Sequence, residues 1–77
     1  MPLNTQSVKL LAAQAAHDIN NPLAYIVSNL RFCREQLEQD TLTQQERKDI
    51  NDALADVQSG IEQILGIAQE LKTIAAE

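Results

Sequence analysis

Apolar side chains recur along the chain in alternating steps. In the first half Ile19, Leu23, Ile26, Leu30, Cys33 and Leu37 follow one another at intervals of 4, 3, 4, 3 and 4. In the second half Ile50, Leu54, Val57, Ile61, Ile64, Ala68, Leu71 and Ala75 advance by 4, 3, 4, 3, 4, 3 and 4. This is a heptad, the spacing that keeps one stripe of an α-helix facing a partner helix. Val27 stands beside the first stripe, and Ala53, Gly60, Ile67 and Ile74 each precede a member of the second. Seams this wide exceed what a two-stranded coil needs and predict a helical bundle.

Between the stripes lies EQDTLTQQE, with no apolar periodicity. Thr43 and Glu46 fit a capping box, in which a hydroxyl and a carboxylate each take an N–H at a helix start; Thr41 with Gln44 fits less well. The turn is expected near residues 39–43, and Asn4 and Thr5 are both candidates to cap the first helix. The expected fold is all-α: helices over about 4–38 and 44–76, each about 50 Å long at 1.5 Å per residue, joined as an antiparallel hairpin. One hairpin leaves part of each seam uncovered. Two would close a four-helix core, so a homodimer is predicted.

The first stripe is not uniform. From Val8 through Ala12, Ala15, Ile19 and Leu23 to Ile26 the steps are 4, 3, 4, 4 and 3. Two consecutive fours make a stutter, which locally unwinds a coiled packing. It brackets His17 and Pro22. An ordinary packing irregularity and a point where the bundle bends or rotates both fit it.

Composition sharpens this picture. The 77 residues form a single domain spanning 1–77, too short to bury much core alone. Cys33 is the one cysteine, so no disulfide can form within the chain, and it reads as a small core residue. One His and one Cys cannot complete a tetrahedral metal set, so no metal is expected. The net charge of −5 without a basic patch argues against nucleic acid and anionic membrane surfaces. No apolar run approaches the length of a membrane span and MPLNTQS lacks a signal-peptide core, so a cytoplasmic segment without membrane contact is expected. Asp49, Asp52 and Asp56 read as a solvated face.

The single histidine, His17, falls outside the apolar stripe and should meet solvent. Asn21 lies one turn later on the same face. Asp18 is about 100° around from His17, on a line with Tyr25 and Phe32. Pro22 lacks the N–H that a helix directs at the carbonyl of residue 18, and its ring crowds that carbonyl, at a cost of about 3 kcal/mol in a regular helix. A kink is therefore expected at Pro22.

HDINNPLAYI, residues 17–26, resembles the H-box of sensor histidine kinases, H-E-x-x-N/T-P-L. His17, the acid at Asp18, Asn21 and Pro22-Leu23 match in place, and the hairpin layout covers the rest of the chain. The resemblance is to the dimerisation and histidine-phosphotransfer domain. The departure is Asp18, where Glu is commoner and reaches one methylene further. The resemblance implies that His17 accepts the γ-phosphoryl group of ATP and passes it to an aspartate of a response-regulator receiver domain. It implies that Asp18 is the acid–base partner of the imidazole and that Asn21 positions water or a phosphoryl oxygen. The chemistry is consistent: imidazole titrates near about pH 6.5, so a neutral nitrogen nucleophile is available at physiological pH. A carboxylate on the other ring N–H fixes the tautomer.

Nucleotide binding in this family needs a separate domain. Gly60 and Gly66 both fall inside the second helix and cannot form a phosphate-cradling loop. No cofactor is expected on this segment; ATP and magnesium would be handled by the separate catalytic domain. A turn centred near residue 41 places Gly66 at the level of His17 and Gly60 at the level of Leu23. Gly66 would point outward, either leaving room for an approaching domain or as a tolerated defect. Ala24, Tyr25, Ser28, Arg31 and Phe32 are candidates to dock a receiver. Phe32 either stands exposed there or folds back onto its own hairpin. A purely structural coiled-coil module explains the heptads but not HDINNP. A monomeric relay-type phosphotransfer domain normally needs a longer chain and lacks this proline. A metal-binding bundle lacks ligands.

Overall fold

The computed structural model describes residues 5–76. They form two helices of equal length, α1 (Thr5–Leu37) and α2 (Gln44–Ala76). The helices pack along their length as a hairpin measuring 59 × 17 × 13 Å. The radius of gyration is 17.7 Å, against about 11–12 Å for a compact globule of this chain length. The molecule is a rod two helices wide, as the sequence predicts. Asn4, one of the two proposed caps, lies outside the described residues; Thr5 is the first residue of α1.

The start of α2 is fixed by the expected capping box. The Glu46 N–H donates to Thr43 Oγ1 at 3.0 Å, and the Thr43 N–H donates to Glu46 Oε1 at 3.0 Å. Two donors that the helix leaves free are thereby satisfied. The bond from the Thr43 backbone is the main reason that the Glu46 carboxyl is held below its ordinary pKa, with the Thr43 hydroxyl next. At the other end of the connection the Glu38 and Gln39 N–H groups donate to the carbonyls of Glu35 and Gln36, which tightens the last turn of α1. Leu42 folds under the hairpin against Cys33, Ile50 and Ala53.

The heptad stripe divides in two. Ile26, Cys33, Ile50 and Val57 are buried between the helices, whereas Leu23, Leu30, Leu37, Leu54 and Ile61 are exposed. Alternate members of one stripe therefore differ: one set packs in the seam and the other faces outward. The seam takes its remaining buried members from Pro22, Ala53 and Gly60. Cys33 is the small core residue expected, with its thiol directed at the Ile50 carbonyl at 3.7 Å. Among the described residues burial is confined to Pro22, Ile26 and Cys33 of α1 and Ile50, Ala53, Val57 and Gly60 of α2. The half of the hairpin towards the turn is thus tightly packed, and the half towards the chain ends is only partly covered.

The exposed apolar side chains are ordered too. Leu23, Val27, Leu30 and Leu37 lie about 40–120° around α1 from the centre of its seam, and Leu54, Ile61 and Leu65 lie about 60–100° around α2 in the same sense. Antiparallel helices seen end-on turn in opposite senses, so these two flanks share one side of the hairpin. No described helix is long and apolar enough to cross a membrane.

Candidate functional site

His17 sits near the inner end of the loosely packed half of α1 and is exposed. Five residues at about 100° each place it about 140° around the helix from Pro22. That proline is buried in the seam. The relation between the two is geometric: the ring that lacks an N–H faces α2, which turns the imidazole outward. Helical structure runs unbroken from Thr5 to Leu37 through Pro22. His17 is also about 120° from Leu23, so a partner covering the apolar flank would leave the imidazole open. Among the described residues, no hydrogen bond or ion pair engages the His17 ring.

Asn21 is exposed on the same face, one turn further along. Asp18 is half-buried, and its Oδ1 accepts a hydrogen bond at 2.9 Å from the Gln14 side-chain amide. The expected companion of the imidazole is therefore engaged one turn back along its own helix. Its one-methylene-shorter arm favours a local i,i+4 partner, and Gln14 supplies one. The same spacing joins Gln45 to Asp49 and Gln58 to Glu62 on α2. Asp52 forms an exposed ion pair with Lys48 at 3.0 Å, and that bond holds the Lys48 pKa above its ordinary value. Asp56 is exposed, in keeping with a solvated acidic face.

Of the docking candidates, Ala24, Ser28, Arg31 and Phe32 are exposed. Phe32 retains 36% of its surface and so does not fold away into the hairpin. Tyr25 differs: it is half-buried, its ring reaches Gly60, and its hydroxyl accepts a hydrogen bond at 3.0 Å from Gln63 Nε2. A Cβ added at Gly60 would stand 2.8 Å from Ile26 Cγ1 and 2.9 Å from Tyr25 Cε2. Gly60 is thus level with Tyr25 and Ile26 rather than with Leu23, a correction to the register expected from the turn. Gly66 has open space around the position of a Cβ, which agrees with its outward placement. Gln14 and Gln63 carried no signal strong enough to single them out. An i,i+4 Gln–Asp pair is common on helices, and the Tyr25–Gln63 bond spans 38 residues. Among the described residues, no three His, Cys, Asp or Glu side chains gather where they could hold a metal ion.

An exposed imidazole thus opens an H-x-x-x-N-P-L segment on the first helix of a hairpin with one bare apolar flank. The profile of the His kinase A (phospho-acceptor) domain matches residues 7–73, nearly the whole chain. The chain belongs to that family, whose members are phosphoacceptor and dimerisation domains of two-component histidine kinases. Comparison with the curated proteins and with the solved structures gave no match.

Proposed function

We propose that this segment is the phosphoacceptor and homodimerisation unit of a sensor histidine kinase working in the cytoplasm, with His17 as the residue phosphorylated. The observation that carries the proposal is the placement of His17: exposed, unengaged and about 140° around α1 from the buried Pro22. Phosphoryl transfer demands in-line approach above all, and this ring is open to it.

A neutral ring nitrogen of His17 forms the new P–N bond as the bond from the γ-phosphorus to the β–γ bridging oxygen of ATP breaks, and ADP leaves. Asp18 exchanges its Gln14 bond for the other ring N–H and offsets the positive charge developing on the imidazole. In the second step an aspartate oxygen of a receiver domain takes the phosphoryl group, the P–N bond breaks and neutral imidazole is restored. Asn21, one turn along the same face, orients water or a phosphoryl oxygen. ATP and magnesium are held by the kinase's catalytic domain. The receiver docks on Ala24, Ser28, Arg31 and Phe32.

The apolar flank of Leu23, Val27, Leu30, Leu37, Leu54, Ile61 and Leu65 is covered by the same flank of a second copy. Seven large apolar side chains on one side exceed the scattered exposure normal for a monomer. Two such hairpins make a four-helix bundle with His17 outside it. This flank also weighs against a monomeric relay domain, which would have to cover it by itself.

The test is to incubate the segment with its kinase's ATP-binding domain and ATP, and to measure acid-labile phosphate in the native chain and in His17→Gln. Label should appear in the native chain and vanish in the variant. Label that persists without His17 overturns the assignment.

A further inference from the structure

The last layer before His17 to which both helices contribute a buried residue is built around an unusual contact. Gly60 is a notch in α2, and the Ile26 and Tyr25 side chains of α1 fill it so closely that any Cβ there would overlap them. The Tyr25 hydroxyl then accepts the Gln63 amide one turn further along α2. Ring and hydroxyl together grip α2 at two successive turns. Tyr25 is eight residues beyond His17, which is about 12 Å along the axis and about 80° around it. Between this layer and the chain ends Pro22 alone is buried among the described residues, and no residue of α2 is. The grip also lies off the apolar flank, so a second copy would not cover it.

We propose that Tyr25 and Gln63, seated on the Gly60 notch, are positioning residues for phosphoryl transfer. Their hydrogen bond sets the rotation of α1 about its own axis at the last layer buried from both helices and thereby the direction in which His17 faces. The half-buried apolar side chains beyond that layer, such as Ala15, Ile64 and Ile67, make contacts that are not directional. The Tyr25–Gln63 hydrogen bond is directional, and a turn of a few tens of degrees weakens it. The proposal rests on the reading of His17 as phosphoacceptor.

The test compares two phosphoryl donors in the intact kinase. ATP, through the catalytic domain, requires His17 to face a docked active site. Phosphoramidate is small and needs no docking; its ammonia leaves as the imidazole takes the phosphoryl group. Tyr25→Phe and Gln63→Leu each remove one end of the hydrogen bond, and Gly60→Ala expels the ring. The ATP-driven rate should fall about threefold in each of the first two and about tenfold or more in the third, as small misplacements do. The Tyr25→Phe/Gln63→Leu double variant should lose no more than either single, because both remove one interaction. KM for ATP and the phosphoramidate rate should stay at native values. Should Gly60→Ala fail to fold, the other two, which introduce no overlap, decide the matter. Unchanged ATP-driven rates in both single variants overturn the proposal, as do equal losses with both donors or losses that multiply in the double variant. Failure of the functional reading is separately visible: ATP with the catalytic domain would then leave no acid-labile phosphate on His17 of the native protein.

Discussion

Replacing Leu30 by alanine separates the two faces of the heptad stripe. Leu30 is 46% exposed in the hairpin, as is Ile61 on the same flank. Fully burying a leucine or isoleucine is worth about 1.5–3 kcal/mol, so covering the remaining half contributes about 1 kcal/mol per side chain. A symmetric dimer counts each side chain twice. Leu30→Ala should therefore weaken dimerisation by about 2 kcal/mol, or about 30-fold in Kd, and Leu30→Ala/Ile61→Ala by about 4 kcal/mol, or about 1,000-fold. Helicity at high concentration should be preserved, because neither side chain fills the seam. Ile26→Ala is the contrast. Ile26 is 7% exposed, and its loss leaves a cavity beside Gly60 costing about 2–5 kcal/mol in hairpin stability. Sedimentation equilibrium measures the first effect, and thermal unfolding at several protein concentrations measures both. A native chain that sediments as a single copy at high concentration refutes the reasoning. So does a Leu30→Ala/Ile61→Ala protein with native Kd.

The capping box gives a pH signature. The Glu46 carboxyl is held below its ordinary value, mainly by the Thr43 backbone bond, so its stabilisation is complete above the unfolded pKa of about 4.5 and is lost as pH falls through the lower folded value. Glu46→Gln should flatten that acid limb of a stability–pH curve measured by circular dichroism. Thr43→Ala removes the hydroxyl acceptor and should cost about 1 kcal/mol at neutral pH. Cys33 is 4% exposed and should react with a thiol reagent only as fast as the hairpin opens; rapid modification of the folded protein would count against the packing described.

The two helices, their bounds within a residue or two, the turn and the capping box were all readable from spacing and local chemistry. His17 was readable as an outward residue because the heptad excludes it from the stripe. What spacing alone could not do was divide the stripe. Leu23 and Ile26 have the same periodic signature, and only the choice of neighbouring helix decides that one is exposed and the other buried. Gly60 showed the same limit. It lies at a core position, but a missing side chain has no hydrophobic signal, and the aromatic that fills the gap is 35 residues away in sequence. Tyr25 was accordingly expected on the open face, and Asp18 beside the imidazole rather than on Gln14. Both depend on side-chain partners that compete for the same polar atoms, and sequence distance does not rank such competitors.

Equal helices joined by a short connection return the chain to its starting end. Ala76 comes back to within about 15 Å, along the rod, of the level of His17. Anything tethered beyond that point would work on a short leash, held at a high local concentration near the imidazole even if its own affinity for the rod were weak. The turn end lies about 30 Å from His17 and has no such proximity to offer.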